Sequence, residues 1–201
     1  MIRFTFKVLI SFSMVGMLQS SKFNYTQQDL LVDKILWQPN VKLKWDDFQS
    51  IPDSSSQFKA NTFVNILYTF DVKQDFINVD VQCVFLKKSS WSKSKSTSDS
   101  DLLQHEQLHF DNAEIAARKI RMEFSKYQSK KMSDTQDFID NIIAKIYIKQ
   151  MDSINALYDK QTNHGIIKTK QKEWEKKIAL ELKKMEKYSS TKVVIRRVPV
   201  K

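Results

Sequence analysis

The ten residues from Leu102 to Asp111 contain the pattern H-E-x-x-H, which constrains the fold of this chain more than any other feature. In an α-helix, residues four positions apart lie on one face, because each residue advances about 100° around the axis. His105 and His109 can therefore direct imidazole nitrogens at one ion, each roughly 2.0 to 2.1 Å away. Glu106 could reach water on the open side of that ion and act as a general base, while the ion lowers the pKa of the water.

The sequence around the pattern is typical of a helix. Ser98 or Ser100 can cap its N-terminus, where Asp99 and Asp101 suit the positive end of the helix dipole. Apolar residues then recur at helical intervals with no glycine or proline, so we expect one helix over 99–128. A pair of surface histidines on an ordinary amphipathic helix is the alternative interpretation.

A catalytic zinc site needs a third protein ligand. Asp111 and Glu114 lie about 200° and about 140° around the helix from His109, so neither can reach the same ion. The metzincin pattern is also absent, because Asn112 and Ile115 stand where that pattern requires glycine and histidine. The third ligand must therefore come from another element.

His164 is the remaining histidine of the chain, and we expect it to be the third ligand. Gly165 would allow a sharp turn beside it, between two helices. Asp159 is the alternative ligand, because zinc also accepts carboxylate oxygen. An exposed loop histidine is the other interpretation of His164. Tyr158 could place its hydroxyl near the oxyanion of a tetrahedral intermediate, or it could be a core tyrosine at a helix end.

The pattern of the remaining chain predicts an α+β fold. Two strands over 60–70 and 76–86, joined by a short polar turn, are expected to form an antiparallel hairpin. Two further long helices are predicted over 134–159 and 167–188, followed by a short closing strand at 193–195. We therefore expect a small antiparallel sheet packed on the H-E-x-x-H helix and on two further long helices.

Residues 1–21 have the layout of a secretory signal peptide. A basic start with Arg3 and Lys7 precedes an apolar run from Val8 to Leu18 and small residues near a cleavage point. The run is too short for a comfortable membrane span, and an N-terminal strand or helix is the alternative. With 201 residues and a 41% hydrophobic fraction, we expect a single domain over 22–201 in a secreted or periplasmic protein.

The net charge of +10 arises largely from lysines and arginines after position 117. They are interleaved with glutamates, which favours a solvated surface, but they could also attract an anionic cell envelope. No nucleic-acid-binding module is recognisable, so no nucleic acid partner is expected. The chain's one cysteine, Cys83, excludes an internal disulfide framework and lies in an apolar run typical of a buried strand.

Several segments together resemble a secreted bacterial family catalogued as domain of unknown function 922. They include the H-E-x-x-H segment 103–111, the segment 158–165 that holds Tyr158 and His164, and Gln171 with Trp174. Residues 43–48, 60–62 and 90–91 resemble the N-terminal half of that family, so the resemblance spans roughly residues 35–185. It implies a zincin-like, zinc-dependent peptidase, and it implies no particular substrate.

These observations lead to one functional hypothesis with two alternatives. The first is a secreted zinc metallopeptidase that acts on a peptide or protein, with Zn²⁺ held by His105, His109 and His164 and with Glu106 as the base. The second is a non-catalytic zinc-binding envelope protein whose site is closed by a fourth ligand, Asp159. The third is an amidase acting on cell-wall peptides.

Overall fold

The computed structural model describes residues 33–93 and 100–198. The predicted signal peptide at 1–21 lies outside the described residues and stays a prediction. Among the described helices, none combines the length and the apolar character that crossing a membrane would require.

The structure is α+β, as the sequence predicts. Its strands are β1 (Lys34–Leu36), β2 (Ala60–Asn61), β3 (Val64–Val72), β4 (Phe76–Leu86), β5 (Trp91–Ser92), β6 (Gln128–Ser129) and β7 (Lys192–Arg197). Its α-helices are α1 (Ser100–Lys126), α2 (Met132–Ile143), α3 (Asp152–Thr162) and α4 (Lys168–Lys184). A π-helical segment, Ala144–Met151, joins α2 to α3, and short 3₁₀ turns lie at Trp45–Asp47 and Glu186–Tyr188.

Strand β4 is the centre of the larger sheet. It pairs with β3 along one side in the predicted antiparallel hairpin, with Val64 opposite Phe85 and Val72 opposite Ile77. On its other side it pairs with β1 near its end and with β7 near its start, both antiparallel. The closing strand β7 was expected at 193–195, and it also pairs in parallel with β6, so the sheet is not purely antiparallel.

Helix α1 lies between the sheet and the other helices. Alternate residues of β4, from Ile77 to Phe85, are buried on the face that packs in the core cluster with α1. A second apolar cluster on the opposite side of α1 joins it to α3 and α4, through Leu108, Ile115, Tyr158, Trp174 and Ile178. Because α1 is covered on both sides, its polar side chains must find partners inside the protein.

Three sequence-based boundaries differ from the structure. The helix expected over 134–159 runs from Met132 to Thr162 and includes the π-helical segment, which apolar spacing alone does not distinguish from an α-helix. The strand expected over 60–70 is interrupted after Asn61, because β2 leaves the main sheet and pairs with β5. The predicted third helix ends as α4 at Lys184, and the 3₁₀ turn continues to Tyr188.

Candidate metal centre

His105 and His109 lie on one face of α1, as their spacing predicts. Their Nε2 atoms are 3.2 Å apart, and their ring centroids are 4.8 Å apart with the rings perpendicular. The ring of His105 is buried, whereas that of His109 is slightly more exposed at the edge of a cleft. The two imidazoles are therefore placed to share one ion.

Asp159 of α3 joins the two histidines. Its Oδ1 atom lies 3.1 Å from Nε2 of His105 and 3.0 Å from Nε2 of His109. Two ligands bound at about 2.0 to 2.1 Å to a tetrahedral zinc ion are roughly 3.3 Å apart. The three atoms thus form a triangle whose sides are close to those of one face of a zinc coordination tetrahedron.

His164, the expected third ligand, lies next to this triangle. Its Nδ1 atom is 3.8 Å from Oδ1 of Asp159, and its ring centroid is 6.2 Å from that of His105. Possible ligand atoms of His105, Asp159 and His164 all lie within 4.8 Å of one another. The structure therefore brings all the expected residues together, but Asp159, rather than His164, completes the close triangle.

The turn after α3 places His164 and Gly165 against the site. Asn163, His164 and Gly165 have positive φ angles of 47°, 53° and 81°. A left-handed conformation costs an ordinary residue about 1 to 2 kcal/mol, so the surroundings must hold His164 in place. A Cβ atom on Gly165 would lie 3.0 Å from Cβ of His105, so any larger residue would strain the turn and press against the ring beside it.

Gln171 and Tyr158 support the ring of His105 from behind. Oε1 of Gln171 lies 3.4 Å from Nδ1 of His105 and accepts a 2.9 Å hydrogen bond from the Tyr158 hydroxyl. The phenol ring stacks on the imidazole, with centroids 4.5 Å apart and an interplanar angle of 23°. If Nδ1 donates to Gln171, the lone pair of Nε2 is left for an ion.

The structure places Tyr158 behind the ring of His105. The side chain is fully buried, and its hydroxyl is held by Gln171 and by the backbone carbonyl of His105 at 3.3 Å. Tyr158 is absent from the residues that line the cleft, and burial raises the pKa of its phenol. Tyr158 therefore supports the ring of His105, and a catalytic role for its hydroxyl stays a prediction.

Glu106 faces the cleft beside the histidines. Its Oε2 atom accepts a 2.7 Å hydrogen bond from the hydroxyl of Thr62, in the short link between β2 and β3. This contact fixes one carboxylate oxygen of a side chain that is only 4% exposed. The geometry agrees with the position expected of a general base next to an ion.

Electrostatics at the site favour a cation. Burial by itself lowers the pKa of His109, but the hydrogen bond and charge of Asp159, together with Glu106, raise that pKa to about 9. Burial similarly acts to raise the pKa of Asp159, yet hydrogen bonds with His105 and His109 hold it well below its ordinary value. Asp159 and Glu106 therefore stabilise positive charge beside His109, as they would stabilise a cation bound there.

Asp111 and Glu114 have other partners, in agreement with the helical geometry. Asp111 accepts hydrogen bonds of 2.8 Å from Nε1 of Trp37 and from Nε2 of Gln107. Glu114 forms a buried ion-pair network with Arg118 and Arg121. Thr62 and Gln171 were named in the sequence only among the residues that carry the family resemblance. No supporting role was predicted for them, because a lone threonine or glutamine carries no distinctive pattern.

The candidate metal ligands open into a cleft of about 350 Å³. Helices α1 and α3 supply its polar wall, and β2, β5 and the preceding loop supply the opposite wall. Its lining includes Asp53, Phe58, Ala60, Thr62, Trp91, His105, Glu106, His109, Asp152, Asn155, Asp159 and His164. A volume in this range is typical of a small-ligand or peptide side-chain site.

Comparison with known sequences finds a family that is similar to the segment carrying the site. The family model described as "Bacterial protein of unknown function (DUF922)" matches residues 87–165, which include α1, Asp159 and His164. No curated protein and no solved structure matches the chain. Residues 87–165, which carry the candidate site, are therefore similar to this DUF922 family of bacterial proteins of unknown function.

Proposed function

We propose that this protein is a zinc-dependent peptidase with a zincin-like arrangement of its H-E-x-x-H helix. The observation that supports the proposal most is the triangle formed by His105, His109 and Asp159, with sides of 3.0 to 3.2 Å. A carboxylate that is free to act as a base, Glu106, lines the same cleft. Metal ligands and a base in this relation are the parts that water-mediated peptide hydrolysis requires.

His105, His109 and Asp159 would hold the ion, with His164 as a further donor next to Asp159. Two imidazoles and a carboxylate are a common ligand set for catalytic zinc, which suits the residues present. A zinc ion bound there would polarise the substrate carbonyl and make an attacking water more acidic. Gln171 and Tyr158 would keep Nε2 of His105 directed at the ion.

Proton transfer falls to Glu106. Its carboxylate would accept a proton from the attacking water and then give it to the leaving amine. The hydroxyl of Thr62 would hold Oε2 of the base in position, which leaves the other oxygen for the proton. The chain's own contribution is therefore a fixed base beside a cation site in a partly buried cleft.

Replacing Glu106 with glutamine tests this mechanism. We expect Glu106→Gln to retain zinc, measured by metal analysis of the purified protein, and to lose peptide hydrolysis by about 10² to 10⁴-fold. Glu123→Gln, on the exposed end of α1, is the matched control and should keep both properties. A zinc-loaded Glu106→Gln variant with normal activity would defeat the proposal.

A non-catalytic zinc-binding protein is the second candidate, and one observation favours it. Oδ1 of Asp159 lies within 3.8 Å of a nitrogen of His105, His109 and His164, so four protein ligands could close the site. His164→Ala separates the two candidates. A closed structural site should lose zinc and stability, whereas a peptidase held by the close triangle should keep its zinc.

The cellular location and the substrate of the protein are part of the same proposal. We propose a secreted or periplasmic protein, on the basis of the signal-peptide layout at 1–21. Its basic surface would allow association with an anionic cell envelope. Digestion of a peptide library beside purified cell wall would distinguish a peptidase from an amidase that acts on cell-wall peptides.

A further inference from the structure

The cleft continues past Glu106 into a second cavity. This second cavity, of about 420 Å³, shares five lining residues with the first, namely Gln57, Phe58, Ala60, Glu106 and His164. The rings of Phe58 and His164 pack together at the shared boundary, with centroids 4.7 Å apart. A substrate whose reacting bond lies at Glu106 would therefore extend one neighbouring group into each cavity.

The first cavity is acidic. Four carboxylates line it, those of Asp53, Glu106, Asp152 and Asp159, and no lysine or arginine lines it within the described part of the chain. A divalent cation would offset Glu106 and Asp159. Asp53 is exposed at the rim, where its carboxylate accepts hydrogen bonds from Ser55 and lies within the weaker Coulombic influence of Lys93. One negative charge, that of Asp152, is left without compensation.

Asp152 is placed to contact a substrate. It lies on the same face of α3 as Asn155 and Asp159, at the first turn after the π-helical segment. Its carboxylate is partly buried and has no hydrogen-bond or ion-pair partner among residues 33–93 and 100–198, and burial raises its pKa. A carboxylate in such a cleft gains most from a cationic partner that enters with the substrate.

The second cavity has the opposite character. Leu102, Phe58 and Ile166 supply apolar surface, and Glu106 at the boundary is the one acidic residue among its described lining. Lys168 at its edge is paired with Asp101 at 2.8 Å, and Lys59 adds a positive charge to the rim. This cavity suits an apolar side chain and disfavours a second basic one.

We infer that the substrate is a peptide whose cleaved bond lies between a basic side chain, bound by Asp152, and an apolar side chain, bound in the cavity of Leu102 and Ile166. The inference rests on the proposed peptidase function, and it adds the substrate class. Asp152 is thus assigned as a specificity-determining residue, because its charge selects the side chain that enters the first cavity.

Four fluorescence-quenched peptides test this inference on the zinc-loaded protein. Their central pairs are Lys-Leu, Leu-Lys, Glu-Leu and Leu-Glu, so that both chain directions are sampled. We expect kcat/KM for one lysine peptide to exceed that of its glutamate counterpart about tenfold or more, since a charge-assisted contact is at stake. Replacing leucine by asparagine in the preferred peptide should lower kcat/KM about tenfold.

Variants of Asp152 identify the source of the preference. Asp152→Asn should reduce the lysine preference about tenfold, and Asp152→Lys should reverse it. Asp137→Asn, at an exposed site of α2, is the matched control and should leave the preference unchanged. Thermal unfolding of each variant checks that the fold is retained, and equal cleavage of all four peptides would overturn the inference while leaving the peptidase in place.

Binding provides a readout that does not depend on turnover. Anisotropy of the labelled peptides on zinc-loaded Glu106→Gln should show the same lysine preference, and adding Asp152→Asn should remove it. If binding shows this preference but wild-type protein cleaves none of the peptides, the peptidase proposal fails and the assignment of Asp152 stands. If binding shows no preference, the assignment of Asp152 fails.

Discussion

Helix α1 carries two buried polar clusters that differ in how completely their groups are paired. The first comprises His105, Glu106 and His109 in the first half of the helix, together with Asp159 of α3. The second comprises Glu114, Arg118 and Arg121. Both clusters lie on one helix that packs between the same sheet and the same helices. They therefore differ mainly in the chemistry of their side chains.

The second cluster is closed by hydrogen bonds. Glu114 accepts from Nε of Arg118 at 2.9 Å and from Nη1 of Arg121 at 2.8 Å. Arg121 also donates from Nε and Nη2 to the carbonyl of Val81 in β4, at 3.0 and 2.8 Å. Arg118 donates to the carbonyl of Leu182 in α4 at 2.7 Å. This network ties the helix to the sheet on one side and to α4 on the other.

The groups of the first cluster lie close together, but their hydrogen-bonding capacity is not filled. Two imidazole nitrogens and one carboxylate oxygen approach one another at 3.0 to 3.2 Å and face a cleft. The difference between the clusters distinguishes buried charges that pair with one another from convergent, incompletely paired groups, which are the candidate binding site.

The largest effect is expected from breaking the closed cluster. Glu114→Ala would leave buried guanidinium groups without their carboxylate, which should lower the free energy of unfolding by about 3 to 5 kcal/mol. Urea denaturation measures this change. Glu123→Ala, which removes an exposed pair with Lys126, is the control and should cost only about 0 to 1 kcal/mol. Equal losses of unfolding free energy in the two variants would contradict the inference that the buried pairs stabilise the fold more than the exposed pair.

The stability of the first cluster should depend on added metal, unlike that of the second. Zinc at about 100 times its dissociation constant should stabilise the protein by about 2.7 kcal/mol, and a chelator should abolish that gain. Denaturation with and without zinc measures the difference. His109→Ala should unfold at the same denaturant concentration under both conditions, and a zinc response retained by this variant would place the ion elsewhere.

A smaller effect is expected at the turn beside His105. Gly165→Ala introduces a Cβ atom 3.0 Å from Cβ of His105 at a φ of 81°, so stability should fall by about 1 to 2 kcal/mol. The displaced ring should also weaken zinc binding, measured by competition with a chelating dye. Asn163→Gly, at the preceding left-handed position, is the control and should preserve zinc affinity.

The smallest effect concerns the orientation of the base. Thr62→Val removes the 2.7 Å hydrogen bond to Glu106, which should reduce kcat/KM by about five- to tenfold, equivalent to about 1 kcal/mol. Zinc content should not change, because Thr62 contacts the base and not the ligands. Thr62→Ser keeps the hydroxyl and should retain activity, and an equal loss in both variants would argue for a packing effect.

Local periodic patterns in the sequence predicted a large part of the fold. The helix over 99–128 and the hairpin of β3 and β4 are confirmed, within one or two residues for the helix, because each depends on apolar spacing within one segment. The same logic predicted that His105 and His109 share a face. The signal peptide at 1–21 and zinc binding itself stay predictions.

Only the tertiary structure decided which distant groups complete the site. Asp159 is 54 residues from His105, Thr62 is 44 residues from Glu106, and Gln171 is 66 residues from His105. No repeating pattern connects such positions, since their proximity results from the packing of α3, α4 and β2 around α1. Local sequence thus determined the helix and its two histidines, whereas packing determined that Asp159 lies closest to them and that Tyr158 is turned away from the cleft.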